Sequence, residues 1–341
     1  MPAEWTPHAA TWLAFPHNVS DWPGRFGPIP WVYGDIIKKV TAGERLELLV
    51  NDAAHERKAR LVLGKMQVDL EQVRFRRFPT NRVWTRDFGP IFVREESGGT
   101  AIARFRFNGW AKYPDWKRDV RVPERAAAAL KVPLRPARLH DRDVVLEGGA
   151  IDVNGAGTML TTEECLLDPL VQIRNPGFLR ADYEAVFAEM LGIRHTIWLG
   201  RGIAGDDTHG HVDDLARFVN ERTIVLCQEP AAADANHAPL AENRERLQSA
   251  RLADGSRPEV VPLPMPAPVV FAGQRLPASY ANFYFTNAAL LVPTFNDPND
   301  RVALGLLAEL VRDRPVIGIH ALDLVWGLGT LHCMSQQQPA L

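Results

Sequence analysis

The 341-residue chain has few cysteines, little net charge and no long apolar run. Three cysteines are an odd number and too few for the disulfide framework of a secreted domain. The 39 Lys plus Arg nearly balance the 41 Asp plus Glu, which removes the usual electrostatic case for nucleic-acid binding. We therefore expect an intracellular, cytoplasmic protein that has no nucleic acid as its partner.

Signals for export and for membrane insertion are also missing. The segment from Met1 to Trp12 contains Glu4 and lacks the apolar core of a signal peptide. No stretch reaches the 18 or so apolar residues of a membrane span. We therefore expect no membrane partner, and no Gly/Ser-rich linker divides the chain into separate parts.

What the chain does contain is a recurring order of strand pairs and helices. Turn signals at Ser97–Gly99, Asn154–Gly155, Asn220–Arg222 and between Thr286 and Ala289 lie roughly 55 to 65 residues apart, which favours an internal repeat. The alternative is a mixed α+β protein with two lobes. The strands predicted by apolar patterning are Leu46–Val50, Val73–Phe78, Ile91–Arg94, Ala101–Phe107, Val144–Val153, Thr158–Thr162, Leu215–Val219, Thr223–Cys227, Phe283–Thr286 and Ala289–Pro293. The predicted helices are Ala53–Lys65, Pro123–Lys131, Phe178–Leu191, Pro239–Leu252 and Asp300–Arg312.

The two ends of the chain complete this pattern. Strand signals at Val316–His320 and Leu331–Met334 are available to pair with Thr11–Phe15 and form a fifth unit. The segments Pro79–Pro90 and Pro258–Pro268 are predicted as loops. A single domain of about five repeats over residues 1–341 is the resulting expectation.

The densest polar cluster of the sequence lies between Asp206 and Asp214. His209, His211 and Asp213 have a spacing that metal ligands use, although a zinc site needs further histidines. A second interpretation is a loop whose aspartates cap the next element. A third makes His211 a general base with Asp213 as its partner, because histidine exchanges protons near pH 7.

Cys333 is the candidate nucleophile. It follows Gly327 and Gly329, which allow a backbone to approach a ligand closely, and it precedes a polar run. A lone cysteine is more often a small core residue, an interpretation that suits Cys165 and Cys227 well. A catalytic thiol must be activated to its thiolate.

Three carboxylates lie in loops beside predicted strands: Asp87, Glu147 and Asp213. Carboxylates that converge repel one another and need a cation between them. A guanidinium offers five N–H donors in one plane, and Trp84 could cover its face. The alternative for Asp87 is a simple ion pair with Arg86 or a turn cap.

Eight segments taken together resemble the agmatine deiminases, which belong to the bacterial peptidyl-arginine deiminase family of the guanidino-group-modifying superfamily. The resemblance runs from about residue 3 to residue 340. The segments are Glu4–His8 (EWTPH), Trp84–Pro90 (WTRDFGP), Phe107–Trp110 (FNGW), Leu146–Gly149 (LEGG), Thr161–Leu167 (TTEECLL), Asp207–Asp213 (DTHGHVD), Tyr280–Tyr284 (YANFY) and Leu331–Ala340 (LHCMSQQQPA).

This resemblance implies an α/β fold, a five-bladed pseudo-symmetric propeller whose active site lies on the central axis. It implies a hydrolase that converts a small cationic guanidino substrate, agmatine, to N-carbamoylputrescine and ammonia through a covalent thiouronium on cysteine. It implies no metal and no organic cofactor, and it permits a homodimer.

The resemblance also implies a role for individual residues. Cys333 matches the nucleophile, His211 the general acid/base, and Glu147 the carboxylate that accompanies His211. Asp87 and Asp213 match the carboxylates that bind the guanidinium.

Two further residues match the pocket around the substrate. Trp84 matches an aromatic wall, and Asp207 falls where a carboxylate near the distal amine is expected. Relatives usually have Glu at the position of Asp207, and Gly-Gly-Gly-Asn where this chain has Gly327-Leu328-Gly329-Thr330. These differences concern the tail of the substrate and leave the reaction type unchanged.

Other classes of function remain open at this point. They are an amidinotransferase of the same superfamily, a deiminase of another small guanidino compound or of peptidyl-arginine, a zinc hydrolase, and a protein that binds arginine without chemistry.

Overall fold

The computed structural model describes residues 1–340 of the chain. Within them lie eight α-helices: α1 (Ile29–Val40), α2 (Ala53–Lys65), α3 (Thr85–Phe88), α4 (Val122–Leu130), α5 (Glu163–Leu167), α6 (Arg180–Leu191), α7 (His237–Ser249) and α8 (Pro298–Leu310). The β-strands of the same residues are β1 (His8–Ala14), β2 (Arg45–Leu49), β3 (Val73–Arg76), β4 (Ile91–Arg94), β5 (Thr100–Arg104), β6 (Leu134–Pro136), β7 (Arg138–Leu139), β8 (Arg142–Asp143), β9 (Asp152–Val153), β10 (Thr158–Thr162), β11 (His195–Leu199), β12 (Ala216–Phe218), β13 (Thr223–Gln228), β14 (Glu259–Pro264), β15 (Val270–Phe271), β16 (Gln274–Arg275), β17 (Tyr284–Phe285), β18 (Leu290–Thr294), β19 (Val316–His320) and β20 (Ser335–Pro339).

Five sheets of residues 1–340 share one strand order. In the first, β4 pairs with β5 as an antiparallel hairpin, and β5 pairs in parallel with β6 after the chain has passed through α4. The same sequence of an antiparallel and then a parallel pair is found in β9–β10–β11, β12–β13–β14 and β17–β18–β19. A parallel neighbour requires a long crossover, and a helix supplies it in each unit.

The fifth sheet joins the two ends of the chain. β20 pairs antiparallel with β1, and β1 continues in parallel to β2 and β3. The C-terminal strand does pair with the N-terminal one, as the sequence predicts, but it consists of Ser335–Pro339. The predicted strand Leu331–Met334 is a turn instead, and Val316–His320 pairs with β18 rather than with β1.

Two predicted loops contain regular structure. Pro258–Pro268 includes β14, which pairs with β13 at the edge of its sheet, where prolines are tolerated because no further strand needs their missing N–H. Pro79–Pro90 includes the single turn of α3. Of the long strand predicted over Val144–Val153, only β9 (Asp152–Val153) forms, because the chain makes a 3₁₀ turn at Gly148–Ala150.

Apolar burial and end capping explain the regular elements. β13 is an almost continuous apolar strand and is buried along nearly its whole length. The Asp52 side chain accepts a hydrogen bond from the N–H of His55 at the start of α2, and Asp297 caps α8 ahead of Pro298. α6 ends at Gly192, whose φ of +69° is the left-handed conformation that glycine adopts without strain.

The five sheets are not joined by hydrogen bonds into one closed sheet within residues 1–340. No helix in this range is long and apolar enough to cross a membrane.

Candidate active site

The candidate site is formed by one polar side chain from each of the five sheets, and the five residues occupy equivalent positions in their sheets. Each lies in the segment that directly precedes the first strand of its sheet, where a rigid scaffold holds a short loop. The residues are Asp87 before β4, Glu147 before β9, Asp213 before β12, Asn282 before β17 and Cys333 before β20.

Cys333 lies in the turn before β20 with its side chain buried. Asn282 Nδ2 donates a hydrogen bond to its Sγ at 3.1 Å, and Sγ is 3.7 Å from Asp213 Oδ2. Burial raises the pKa of this thiol well above its ordinary value, and the carboxylates of Asp213, Asp214 and Asp87 raise it further. The thiol therefore keeps its proton until a cation enters the site.

His211 is buried between two carboxylates. Its Nδ1 is 3.8 Å from Asp87 Oδ1, and its Nε2 is 3.7 Å from Glu147 Oε2. Neither ring nitrogen has a hydrogen-bond partner among residues 1–340. Burial alone would lower the pKa of this imidazole, but the charge of Asp87 and the side chains of Cys165 and Glu147 raise that pKa well above its ordinary value. His211 is therefore an imidazolium that can donate a proton.

Rigid donors hold the carboxylates of Asp87 and Asp213. Asp87 accepts hydrogen bonds from Trp110 Nε1 at 2.8 Å and from the N–H of Gly149 at 3.0 Å. Asp213 Oδ2 is 2.6 Å from His332 Nδ1, whereas Oδ1 has no hydrogen-bond partner in the described part of the chain. Burial and the neighbouring charge of Asp213 raise the pKa of Asp87 to about 6. This pair of carboxylates calls for a cation.

The position of Gly149 shows where that cation would fit. A Cβ on this residue would stand 2.5 Å from His211 Nδ1 and 2.8 Å from Asp87 Oδ1. It would also stand 3.0 Å from Asp213 Oδ2. The space that glycine leaves open is therefore bordered by one imidazole and two carboxylates.

Glu147 is fixed by a buried arginine. Arg174 Nε lies 3.2 Å and 3.3 Å from its two carboxylate oxygens, and neither side chain is exposed. The guanidinium also donates to the carbonyls of Gln172 and Thr208 at 2.9 Å and 2.6 Å. Burial would raise the pKa of Glu147, but the Arg174 charge lowers it to about 2. Glu147 therefore stays ionised beside His211.

The side chains of the Asp206–Asp214 cluster are not arranged as the metal interpretation requires. His209 does not face His211, because its Nε2 is bound to Asp168 Oδ2 at 2.9 Å. Donor atoms of Glu147, Cys165 and His211 do lie within 4.8 Å of one another, and so do those of Asp213, Asp214 and Cys333. Glu147 already has the Arg174 charge, so a metal ion there would face a resident cation.

A small pocket that opens to solvent is lined by Cys333, Trp84, Asp87 and Asp207. Trp84 forms one wall, and a Cβ on Gly329 would stand 2.9 Å from its ring and 3.0 Å from Cys333 Cβ. Leu328 lines the pocket with φ at +66°, a left-handed backbone that is strained for leucine. The glycine-rich turn thus brings the thiol and the indole together.

Asp207 lies at the outer end of the same pocket. Its Oδ1 is bound by Lys112 Nζ at 2.5 Å, and its Oδ2 accepts a hydrogen bond from the Tyr113 hydroxyl at 2.7 Å. Both carboxylate oxygens are therefore engaged by side chains of the segment after β5.

All seven residues expected from the sequence lie around this pocket or behind it, but four contributors were missed. They are Trp110, Arg174, Asn282 and His332. Trp110, Asn282 and His332 belong to segments that carry the resemblance, which was the available signal. Arg174 had none, because it lies in a loop 27 residues after Glu147.

Comparisons with known proteins point to one family. The profile of the Porphyromonas-type peptidyl-arginine deiminase family matches residues 1–339. The chain is 33% identical to agmatine deiminase of Stutzerimonas stutzeri (strain A1501) over 363 residues, which cover 100% of this chain and 95% of that protein.

Solved structures agree with the sequence comparison. A Cys-to-Ser variant of C. jejuni agmatine deiminase with substrate bound matches with a TM-score of 0.87 and 31% identity, over 99% of this chain and 95% of the other. Agmatine deiminase of Enterococcus faecalis matches with a TM-score of 0.90 and 27% identity, over the same shares of both chains.

Proposed function

This chain belongs to the Porphyromonas-type peptidyl-arginine deiminase family, and we propose that it is an agmatine deiminase. It hydrolyses a C–N bond of the agmatine guanidinium to give N-carbamoylputrescine and ammonia. Relatives of this name match the whole chain, and one was solved as a Cys-to-Ser variant with substrate bound. These names support agmatine as the substrate and cysteine as the nucleophile.

One observation carries the proposal. Asp87, Asp213 and His211 border the space left by Gly149, and the thiol of Cys333 lies 3.7 Å from one of those carboxylates. Two fixed carboxylates select a planar cation with several N–H donors, and a nucleophile and an acid stand beside it.

Substrate binding activates the nucleophile. The pKa of the Cys333 thiol is high in the free enzyme because burial and nearby carboxylates disfavour the thiolate. A guanidinium between Asp87 and Asp213 supplies the missing positive charge, so the thiol gives up its proton to solvent as the cation enters. The charge buried in the site is then the same before and after binding.

The thiolate attacks the guanidinium carbon, which the carboxylates hold in line with Sγ. A bond forms between sulfur and carbon, and the adduct is tetrahedral. The His211 imidazolium protonates one terminal nitrogen, the bond from that nitrogen to carbon breaks, and ammonia leaves. A thiouronium remains on Cys333, and His211 is now neutral.

Hydrolysis returns the enzyme to its starting state. Neutral His211 takes a proton from water, and the hydroxide attacks the thiouronium carbon. The carbon–sulfur bond then breaks and the thiolate leaves; the proton on the oxygen of the product passes to that thiolate, which restores the thiol as the neutral ureido product departs. Glu147, ionised by its contact with Arg174, stabilises the imidazolium at both protonated stages of the cycle.

We propose further that the five sheets are blades of a pseudo-fivefold propeller around this site and that residues 1–341 form one catalytic domain. The shared strand order supports this arrangement, as do the equivalent positions of the five polar residues. A cytoplasmic location and a homodimer stay predictions from sequence and resemblance, which cell fractionation and sedimentation would test.

The deciding experiment compares two cysteine variants. Cys333→Ala should lose at least about 10⁴-fold in kcat for ammonia release from agmatine, the size expected for a deleted nucleophile. Cys227→Ala is the matched control, because Cys227 is also buried but contacts Ser279 Oγ at 3.3 Å. It should keep its activity. Full activity of Cys333→Ala, or a covalent adduct mapped to Cys165, would reject the assignment.

The choice of substrate is tested in the same assay. Agmatine, free arginine and an arginyl peptide are compared by their ureido products, and glycine or ornithine is added as an amine acceptor. We expect turnover of agmatine above the others and no transfer to the added amine. A new guanidino product would identify an amidinotransferase, and preference for the peptide would identify a peptidyl-arginine deiminase.

A further inference from the structure

The residue directly before the nucleophile is a buried histidine with a carboxylate at each ring nitrogen. His332 Nδ1 is 2.6 Å from Asp213 Oδ2, and its Nε2 is 2.8 Å from Glu4 Oε2. Asp213 borders the proposed guanidinium space, whereas Glu4 lies on the side away from it, close to β1 in the sequence. His332 thus connects the substrate pocket with a buried network of charges.

The hydrogen-bond inventory constrains the state of this ring. A neutral imidazole has one N–H donor and one lone pair, and an ionised carboxylate can only accept. Two carboxylates at 2.6 Å and 2.8 Å are both satisfied only when both ring nitrogens carry protons. The geometry therefore requires an imidazolium unless one of the two carboxyl groups holds the proton.

Glu4 is poorly suited to hold that proton. Its Oε2 accepts a hydrogen bond from Arg86 Nη2 at 3.0 Å, and its Oε1 accepts one from the N–H of Phe285 at 3.0 Å. Arg217 Nη2 also lies 3.0 Å from Oε1. Burial would raise the pKa of Glu4, but Arg217, His332 and Arg86 hold it well below its ordinary value.

Asp213 shows what this arrangement achieves. The oxygen that His332 binds is Oδ2, and this same Oδ2 borders the space left open at Gly149 and lies 3.7 Å from Cys333 Sγ. A carboxylate oxygen accepts more than one hydrogen bond, so an Oδ2 held in place by His332 can still accept an N–H from the substrate without reorganisation. An unfixed Asp213 would rotate and would lose this alignment.

We propose that His332 is an imidazolium clamp, held between Glu4 and Asp213, that positions Asp213 for the guanidinium of the substrate. His332 is a positioning residue, because it acts on the substrate through Asp213. The role in catalysis rests on the proposed deiminase function, whereas the state of the ring does not.

The groups that face His332 come from several elements. Glu4 and Asp213 contact the ring, and Cys333 follows it in the chain. Arg86 Nε, from α3, lies 3.3 Å from the His332 carbonyl oxygen. Arg217 and Asp152 form an ion pair at 2.8 Å beyond Glu4. A change of the His332 charge is therefore felt first by Asp213 and Glu4.

The first test reads the protonation state directly. The chain is labelled with ¹⁵N-histidine, and its ring signals are recorded at pH 7, with His332→Gln identifying the signals of His332. We expect two protonated ring nitrogens, because each faces a carboxylate oxygen. One protonated nitrogen at pH 7 would overturn the proposal.

The second test compares two buried histidines. His332→Gln keeps an N–H donor but removes the charge, and kcat/KM for agmatine should fall about 10- to 100-fold, mostly through KM. The acid limb of its pH profile should move to higher pH, because Asp213 loses the neighbouring cation. His8→Gln is the control, since His8 is also buried, with Nδ1 3.0 Å from Glu44, and it contacts Glu4 only at the backbone carbonyl, at 2.6 Å, and not at the carboxylate that holds His332. It should destabilise the fold to a similar degree and leave KM unchanged.

The outcomes separate this inference from the proposed function. No ammonia from agmatine with the wild-type enzyme would reject the proposed substrate, yet two protonated ring nitrogens would still support the clamp. If the wild-type enzyme is active on agmatine but His332→Gln has an unchanged KM and an unchanged acid limb, the clamp is rejected and the proposed function stands. Glu4→Gln provides a second variant, and we expect its KM to rise in the same direction.

Discussion

The inner and the outer end of the pocket both present carboxylates, but they hold them in opposite ways. The side chains of Asp87 and Asp213 are 3% and 0% exposed, and their partners are an indole, a backbone N–H and a buried ring. Asp207 is 19% exposed, and its main partner is the flexible Lys112, which is itself 41% exposed. The inner end is rigid, and its positive charges belong to buried imidazole rings, whereas the outer end has the exposed ammonium of a lysine.

This difference indicates how the two ends contribute to recognition. When the site is empty, the inner carboxylates are destabilised by mutual repulsion and by loss of hydration. Binding of a guanidinium between them relieves this destabilisation and is therefore strongly favourable. At the outer end a substrate amine can only replace the ammonium of Lys112, and exchange of exposed ion pairs yields little. Specificity for the reacting group should therefore be strong and specificity for the tail weak.

The largest expected effect is the difference in kcat/KM between Asp87→Asn and Asp207→Asn. Asp87→Asn should lower kcat/KM for agmatine about 10³-fold, because breaking a buried charge pair costs about 3–5 kcal/mol and each 1.4 kcal/mol is tenfold. Asp207→Asn should lower it less than about tenfold, mainly through KM. Steady-state kinetics of the two isosteric variants checks the ratio, and equal losses would contradict the difference between the ends.

The pH dependence of the stability of Asp87→Asn tests independently whether the Asp87 carboxylate destabilises the free protein. The pKa of Asp87 is about 6 in the folded chain, above its ordinary value of 3.8, so its ionised form destabilises the free protein. Thermal unfolding should show no gain from Asp87→Asn near pH 4, a growing gain up to about pH 6, and a level gain above it. A loss of stability at pH 8 would contradict this sign.

A methyl group in the inner space should have the next largest effect. Gly149→Ala places a Cβ within 3.0 Å of groups that would face the guanidinium, so we expect kcat/KM to fall about 10²-fold, the loss that misplacement of a substrate by about 1 Å can cause. Gly64→Ala is the control, because nothing lies within 4 Å of its added methyl and it lies in α2. Unchanged kinetics of Gly149→Ala would place the guanidinium elsewhere.

The smallest effect should come from the outer cation. Lys112→Met frees Asp207, so KM for agmatine should fall about threefold with kcat unchanged, in keeping with the small free energy of an exposed ion pair. Lys117→Met changes an exposed lysine of the same loop and should leave KM as it is. A rise of KM in Lys112→Met would mean that Lys112 itself contacts the substrate.

The residues predicted from the sequence lie together in the structure, whereas the contacts that support them were missed, and for a physical reason. Asp87, His211 and Cys333 lie in short segments between longer elements, with polar and glycine neighbours, a pattern that local sequence reveals. The Arg174 contact to Glu147, by contrast, depends on how a loop folds back across the site, which no local pattern encodes.

The strand at Ser335–Pro339 was missed because it is polar and nevertheless buried. Gln337 Oε1 accepts a hydrogen bond from Arg86 Nη1 at 2.7 Å, and Gln338 Oε1 accepts one from Trp12 Nε1 at 3.0 Å. Apolar periodicity finds strands whose burial is driven by hydrophobic side chains. It cannot find one whose burial is stabilised by partners elsewhere in the chain.

The pairing of β20 with β1 also has a consequence for biosynthesis. Trp12 and Gln338 meet although 326 residues separate them, and Cys333 is translated after every other member of the site. A ribosome that has made four of the five sheets has produced the pocket's carboxylates but not its thiol. The growing chain therefore cannot form a thiouronium before Cys333 has been added, and chemistry begins only when β20 pairs with β1.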